Sequence, residues 1–513
     1  MLGRTYAVAM LGLTGAIVEV EADIASGLPS FTIIGLPDTA LSNARERVRA
    51  ATTNAGCPLP SKKFTVNLSP AALPKFGPAF DLAIAVALLA AGGSIDPRSI
   101  EDVVHLGELG LDGRLRPTAG ILPAVAAAQQ LGYERIMVPA GNAEEAGLVP
   151  GITVVPVSSI REAAIYHGGN FAPEPVEPVT LPAEPDPDTA ALELADVVGN
   201  PDAVEALVVA AAGGHHLFLL GPPGSGKTML AARLPGLLPD LDVLAALEVS
   251  SLRSLAGESI GSALITRPPL ESPHHTATAA ALIGGGSRQI RPGAAARASH
   301  GVLFMDEAPE FPSAVLDALR QPLESGIISI HRANATAHFP GTFQLVLAAN
   351  PCPCGQYGAK DTECTCTPNT RRRYLGKISG PLMDRIDIQL NIRRVTAAEL
   401  RLSDEPGSTP RLTTASARAK VVAARARAAH RLKDTPWLLN SQVPGSWLRT
   451  GPLRLDRATT SGLDRALERG GLTMRGYDRV MRVSWTVADL AGVDRPTIEH
   501  VGRALYLRKS LLT

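Results

Sequence analysis

Residues 221 to 228 read Gly-Pro-Pro-Gly-Ser-Gly-Lys-Thr, a spacing suited to holding a triphosphate. Gly221, Gly224 and Gly226, with Pro222, Pro223 and Ser225 between them, let the loop curl until backbone N–H groups point into one concavity around phosphate oxygens. Lys227 then reaches the β- and γ-phosphates, and the Thr228 hydroxyl ligates Mg²⁺. The apolar run His216-Leu-Phe-Leu-Leu220 precedes the loop and a helix-like stretch, Met229 to Leu234, follows it. Strand, glycine loop and helix is the context in which this spacing signifies a nucleotide site. The helix N-terminus adds positive potential there.

Three more strand ends or loops carry groups such a site needs. Val302-Leu-Phe-Met-Asp306-Glu307 reads as a buried strand delivering Asp306 to order the Mg²⁺ shell. Glu307, one residue on, suits the base that polarises a water. Phe343-Gln-Leu-Val-Leu-Ala-Ala-Asn350 ends in an amide that either holds the attacking water against the γ-phosphate or only caps its strand. Ser379-Gly-Pro-Leu-Met-Asp384-Arg385-Ile-Asp387 offers Arg385 in one of two roles: a finger for a neighbouring subunit's nucleotide, which requires a ring, or half of an intramolecular Asp–Arg pair. In Leu472-Thr-Met-Arg475-Gly-Tyr-Asp-Arg479, Thr473 reads as a helix N-cap. Arg475 is the candidate for sensing the γ-phosphate, with Arg479 as its rival one turn on. The expected catalytic set is Lys227, Glu307, Asn350, Arg385 and Arg475.

Cys352-x-Cys354 and Cys364-x-Cys366 come straight after Asn350, with nine residues between the pairs. Four thiolates can complete a tetrahedral zinc site and pin a loop that has no core of its own. The C-x-C spacing is tighter than the usual zinc pattern, so free thiols and a redox pair stay open. Cys57 reads as a plain thiol, and an odd total of five cysteines argues against a disulfide framework.

These parts must be carried by several domains, because 513 residues exceed what one core supports. Hydrophobic residues at 45% and charged ones at 19% describe a foldable chain. A net charge of zero leaves no global field for nucleic acid or membrane, so any such binding must be local. The longest apolar run, Leu82 to Ala91, is about half of what a membrane helix needs. Near the N-terminus, Gly12, Thr14 and Gly15 interrupt the apolar stretch, and Glu19 and Glu21 follow at alternating spacing. That favours a strand hairpin over a signal segment, and a cytoplasmic location follows.

Residues 171 to 190 hold six prolines and five acids, the composition of an extended spacer. The expected division is 1–170, a 171–190 linker, 191–395 and 396–513. Residues 1–170 mix strands (Tyr6 to Met10, Ile17 to Val20, Phe31 to Ile34, Lys63 to Asn67, Arg135 to Val138) with helices (Asp38 to Ala55, Asp81 to Ala91, Thr118 to Leu131), an α+β or α/β pattern. From 195 to 395 short apolar strands alternate with helices, which suits a parallel sheet. After 396 the strand signal disappears. Ala415 to Lys433, Leu463 to Leu490 and Pro496 to Leu512 then read as helices.

Together these residues resemble the magnesium-chelatase-like AAA+ ATPases of the family called YifB or ComM, over nearly the whole chain. The stretches that carry the resemblance include Gly35-Leu-Pro-Asp38, Ala212-Gly-Gly-His215, Pro273-His-His-Thr276, Arg291-Pro-Gly293, Asn350-Pro-Cys-Pro-Cys-Gly355 and Val487-Ala-Asp-Leu490. The resemblance implies an ATP- and Mg²⁺-dependent hexamer with an AAA+ P-loop core, a helical lid and a Lon-protease-like N-terminal domain. It also implies work on DNA of the ComM kind, branch migration during natural transformation (competence), with the chelatase I subunit as a more distant relative. The segment resembling the one with Lon's nucleophilic serine has Ala79 in its place, and the one with Lon's lysine base has Leu122. Neither side chain can attack a carbonyl or take a proton, so peptidase activity is not expected.

Between Arg371 and Asp434 there are 15 Lys or Arg against six Asp or Glu. This excess either tracks a phosphate backbone or is a solvated face plus nucleotide-contacting arginines. Aromatic residues at 4% argue against base stacking. Ile283-Gly-Gly-Gly286 with Arg288 and Arg291, and a hairpin-like Ile328 to His338 with His331 and Arg332 near its tip, are expected to line a pore and touch branched or single-stranded DNA.

Overall fold

The computed structural model describes residues 2–35, 43–180, 192–286, 290–332, 335–358, 364–404 and 410–509. Near its N-terminus, β1 (Gly3–Leu11) and β2 (Thr14–Ala25) pair antiparallel from Gly3↔Ala22 to Leu11↔Thr14. They turn at Gly12, whose φ of 67° is a left-handed conformation that glycine adopts without strain. The expected hairpin is therefore present. With β3 (Ser30–Ile34), β4 (Lys63–Ser69), β5 (Val103–His105), β6 (Arg135–Pro139) and β7 (Thr153–Val157) it forms a mixed seven-stranded sheet of order β3-β4-β2-β1-β5-β6-β7.

Three helices, α1 (Ala44–Asn54), α2 (Asp81–Ala91) and α3 (Ile121–Gln130), cover this sheet. A helix apolar on every side must be buried, and α2 is buried along its whole length against β1 and β2. Its one charge, Asp81, is 0% exposed and held by Arg47 of α1 at 2.7 and 2.9 Å. Only a paired and hydrogen-bonded carboxylate is tolerated at such depth. Of the expected helix Asp38 to Ala55, the part Ala44–Asn54 is described as α1, and residues 36–42, including most of Gly35-Leu-Pro-Asp38, lie outside the described residues. Residues 171–180 have no regular structure and are tied back by an Arg161–Glu174 ion pair. The rest of the expected spacer is outside the described residues.

A second sheet is wholly parallel. Its strands are β8 (Leu217–Leu220), β9 (Leu270–Glu271), β10 (Val302–Met305), β13 (Gln344–Ala349) and β14 (Ile388–Asn391), in the order β9-β10-β13-β8-β14. Between β10 and β13 the chain makes the separate antiparallel hairpin β11 (Ile327–Arg332) and β12 (Ala335–Pro340). Helices α4 (Pro201–Gly213), α5 (Lys227–Leu237), α6 (Val243–Ala256) and α7 (Pro368–Leu375) connect the strands. No described residue after Asn391 is in a strand.

The C-terminal helices are α8 (Thr414–Arg431), α9 (Arg457–Glu468), α10 (Met474–Ala491) and α11 (Ile498–Lys509). The expected single helix from Leu463 to Leu490 is two. Gly470, at φ 69°, ends α9, and the Thr473 hydroxyl caps the start of α10 by accepting from Gly476 N. One apolar cluster joins a face of the parallel sheet to α4, α8, α10 and α11, so the helical part shares a core with the sheet.

The N-terminal sheet is docked onto the parallel one. Helix α3 packs on α6, and Gly120 N donates to Ser254 O at 2.9 Å. Glu145 accepts from Leu122 N at 3.2 Å and from the Ser254 hydroxyl. The hairpin turn at Gly12 lies against His338 of β12. No helix among the described residues is long and apolar enough to cross a membrane.

Candidate nucleotide site and cysteine centre

Strand β8 lies between β13 and β14, with Leu217, Phe218 and Leu219 buried. Its end therefore opens at the carboxyl edge of the sheet, where open α/β sheets bind ligands. Gly221 N donates to Ala349 O at 3.1 Å, and a Cβ at Gly221 would collide with Ile392 O. Gly224 and Gly226 have φ of 75° and 89° with open space around them. Conformation, not room, requires glycine at those two positions. Helix α5 starts at Lys227 with no side chain capping its first N–H groups, which leaves them free for an anion.

The buried Lys227 donates from Nζ to Gly221 O at 2.7 Å, Pro222 O at 3.1 Å and Asn350 Oδ1 at 3.1 Å. Burial lowers its pKa, against the upward pull of Asp306 and Glu307. Thr228 Oγ1 donates to Asp306 Oδ2 at 2.8 Å, and Asp306 Oδ1 accepts from Glu307 N at 2.9 Å. Strand β10 is buried throughout, as a strand delivering a carboxylate to its end must be. Glu307 itself sits at φ 51°, a costly backbone for a residue with a Cβ and a feature concentrated at functional sites. Ser225 Oγ is buried, and no hydrogen-bond partner for it is found among the described residues.

The residues present fit Mg·ATP. The α5 N-terminus and Lys227 would hold phosphates, and Thr228 with Asp306 would hold Mg²⁺. The Ser225 hydroxyl, buried beside Gly221 in the same loop, has no hydrogen-bond partner among the described residues.

The structure also shows partners the sequence did not announce. His275 Nδ1 lies 3.5 Å from Glu307 Oε2 and its ring stacks on His274 at 4.1 Å. Both histidines belong to Pro273-His-His-Thr276, one of the stretches that carry the resemblance. Arg385 forms an ion pair with Glu324 and donates to Pro381 O at 2.5 Å. Asp384 pairs with Arg475 at 3.1 Å, so Arg385 and Arg475 belong to one cluster. Arg479 is spent on the buried Asp387 at 3.0 Å. Burial pushes the Asp387 carboxyl up, but Arg479 and His215 outweigh that and hold it well below the usual carboxylate range.

His215, just before β8, lies 3.4 Å from Asp387 and 2.7 Å from Thr486 Oγ1 of α10. Asn440 continues the chain from Thr486 at 3.0 Å to Asp489 at 2.8 Å, and Arg431 grips Asp489. Buried polar groups joined in this way fix one arrangement of sheet and helices.

Much of the basic excess is used inside the chain. Arg385, Arg393 and Arg418 pair with acids, and Arg394 donates to Pro223 O at 3.0 Å. Arg411 and Arg425 donate to main-chain carbonyls of residues 195 and 211, and Arg427 and Arg431 bind Asp489. Arg372, Arg373 and Lys377 are exposed.

All five cysteines are free thiols, and Cys57 is buried. Cys352, Cys354, Cys364 and Cys366 bring their sulfurs within 4.8 Å of one another. Three of the spacings are 3.3, 3.7 and 3.6 Å. A tetrahedron of sulfurs about 2.3 Å from zinc has edges of about 3.8 Å, so the donor set fits that ion.

Comparison with known proteins follows this geometry closely. The profile for magnesium chelatase, subunit ChlI, matches residues 193–400. The profile for subunit ChlI of Mg-chelatase matches 20–142, and that for the ChlI C-terminal region matches 411–508. An uncharacterized protein of Mycobacterium tuberculosis is 47% identical over 510 residues, 99% of both chains. Competence protein ComM of Haemophilus influenzae is 39% identical over 508 residues, 99% of this chain and 97% of that one. YifB of Escherichia coli is 38% identical over 504 residues, 98% and 96% of the two chains.

The chain belongs to the ComM/YifB family of magnesium-chelatase-like AAA+ proteins. As a ComM/YifB ATPase it has its P-loop inside the 193–400 match, and the resemblance read from the sequence holds over nearly its full length. Lon protease of Rhizobium meliloti is 28% identical over 212 residues, covering 38% of this chain and 26% of Lon.

The remaining expected residues are placed as follows. Ala79 lies in the short 3-10 helix Pro78–Phe80 before α2, its carbonyl accepting from Gly107 N at 2.9 Å. Leu122 is buried in the first turn of α3 beside Glu145. His331 and Arg332 flank the tip of the β11–β12 hairpin and are exposed. Gly284–Gly285 pairs with Arg291–Pro292, and Arg288 is outside the described residues.

Proposed function

We propose that this ATPase is a ring-forming, DNA-moving motor of the ComM kind. The observation that carries the proposal is the joining of Lys227 to Asn350 and of Thr228 to Asp306 at one sheet edge, in a chain that matches Competence protein ComM over 99% of its length. In this reading residues 1–170 form a Lon-like scaffold, 171–190 a linker, 191–395 the motor core and 396–513 the lid, and the protein works in the cytoplasm.

Bound Mg·ATP supplies the phosphoanhydride to be cleaved and the charge that Mg²⁺ neutralises. Lys227 orients the phosphates, and Thr228 with Asp306 orders the Mg²⁺ shell. Glu307 takes the proton of the attacking water, and Asn350, already joined to Lys227, positions that water. Arg385 and Arg475, which share one cluster, act on the nucleotide of the adjacent subunit, so each site is completed by its neighbour. This requires Arg385 to leave Glu324 when subunits meet. A hexamer suits such sharing. The exposed His331 and Arg332 and the paired Gly284–Gly285 and Arg291–Pro292 face a phosphate backbone in the pore. The internal use of eight arginines in the 371–434 stretch moves the DNA contact away from α8 and toward these loops.

Ala79 and Leu122 carry no group for peptide hydrolysis, and the contacts of Leu122 with Glu145 suit a dock between sheets. The three ChlI matches favour a second reading, a chelatase-like remodeller of a protein partner. One experiment separates the two. ATPase rate and three-strand branch migration are recorded with and without branched or single-stranded DNA. Stimulation with strand movement supports the motor; absence of both sinks it.

A further inference from the structure

We propose that Cys352, Cys354, Cys364 and Cys366 bind one zinc ion, and that this centre braces the P-loop so that metal occupancy sets the rate of ATP hydrolysis. The inference rests on the reading of residues 221–228 as the ATP site.

The four sulfurs come from two short segments, at spacings well beyond the roughly 2.05 Å of a disulfide and close to the edges of a zinc–thiolate tetrahedron. Backbone N–H groups of Tyr357 and Gln356 are directed at the sulfurs of Cys352 and Cys354, the outer hydrogen bonding that orients thiolate ligands. Apart from Cys352, the cysteine segments bury little apolar surface among the described residues. A metal is what holds such a segment in one place.

What the centre holds is the motor's chemistry. Gly355, between the cysteine pairs, has φ 75° and lies directly on the P-loop. A Cβ there would come within 2.6 and 2.7 Å of the Pro223 ring. Cys352 follows two residues after Asn350, which accepts from Lys227 at 3.1 Å. On the other side, Cys366 leads into Thr367, whose hydroxyl caps α7 by accepting from Thr370 N at 3.2 Å. Tyr374 of that helix is buried, and burial together with the charge of Glu310, three residues past Glu307, raises its pKa. The centre thus sits where P-loop, sensor strand and base-bearing turn meet. Releasing it frees Pro223 and Asn350 together, and a displacement of about 1 Å is enough to cost a catalytic site about a hundredfold.

The test uses the full-length protein. Elemental analysis of protein purified without added metal is expected to give one zinc per chain. A zinc-selective chelator applied at saturating Mg²⁺ should lower kcat by about tenfold to a hundredfold, and re-added zinc should restore it. Cobalt in place of zinc should give the absorption bands of a tetrahedral thiolate site. Gly355→Ala, which leaves every sulfur in place, should keep zinc yet hydrolyse slowly. Binding of a fluorescent ATP analogue is followed in parallel.

Protein that carries no metal, that carries iron in place of zinc, or that hydrolyses at full rate after stripping overturns the proposal. Zinc-loaded protein that binds no ATP analogue would instead remove the nucleotide-site reading and leave the metal site standing, so the two failures are distinguishable.

Discussion

Lys227 Nζ donates to Asn350 Oδ1 across 3.1 Å, which ties the P-loop to the end of the neighbouring strand β13 within the protein itself. Both residues are therefore held before a nucleotide arrives, one by loop carbonyls and the other by a fully buried strand. Asn350→Ala should leave ATP affinity within about threefold and lower kcat by about 10²-fold, the loss typical of one preorganised donor. Lys227→Ala should abolish tight nucleotide binding instead. Titration with a fluorescent ATP analogue and steady-state ATPase separate the two effects. Wild-type turnover in Asn350→Ala would leave the amide as a strand cap.

Glu307 is held in a left-handed backbone with His275 3.5 Å away. Glu307→Gln removes the proton acceptor while keeping its shape, so ATP should bind and turnover fall by about 10²- to 10⁴-fold. His275→Ala should reduce kcat less, by about tenfold, because it only steers the carboxylate. Single-turnover assays measure both. A Glu307→Gln protein that hydrolyses normally would pass the role of base to another group.

Arg385 is paired with Glu324, and Arg475 with Asp384 next to it. If the pair serves the adjacent subunit, Arg385→Ala rings should assemble yet turn over about 10³-fold more slowly. Mixing Arg385→Ala with Lys227→Ala subunits should then recover part of the activity, since some interfaces combine an intact P-loop with an intact finger. Glu324→Ala should assemble and stay active, the finger having lost only its resting partner. No recovery on mixing would mean that the arginine works within its own chain.

The candidate nucleotide site was legible because each part is a local pattern: glycines at fixed offsets, or a polar residue ending an apolar run. Gly221 to Thr228, Asp306, Glu307 and Asn350 converge in space because parallel strands all end at one edge of the sheet. The links from His215 to Asp387 and Thr486, or from Glu145 to Ser254, join residues 100 or more positions apart. No periodicity marks such pairs. The same blindness left the arginines between 371 and 434 open between a phosphate-tracking surface and a solvated face. Arg425 and Arg431 are amphipathic side chains whose partners, Ala211 O and Asp489, lie on other helices. The break between α9 and α10 was hidden by apolar periodicity that runs through Gly470 and Gly471, although the Thr473 cap was readable at once.

His105 and His167, absent from the sequence reading, form a buried pair whose Nε2 atoms are 2.9 Å apart. Thr5 Oγ1 holds the other nitrogen of His105 at 2.7 Å, and Ser99 Oγ that of His167 at 3.0 Å. Such a contact needs one N–H and one lone pair, so both rings cannot be cations. Burial pushes His167 down to about 4, and burial with the neighbouring ring pushes His105 well below 6.5. An unfolded histidine binds its proton near pH 6.5. Between pH 6.5 and 4 unfolding therefore takes up protons that the fold refuses. The stabilisation is complete above that window and is lost as pH falls through it, by about 3 kcal/mol for His167. Hydrogen exchange of Gly3–Leu11 and Val103–His105, corrected for the intrinsic pH dependence, should show protection falling from pH 7 to 4.5. His167→Gln, which hydrogen-bonds without titrating, should flatten that fall; an unchanged slope in the variant would assign the acid sensitivity to other groups.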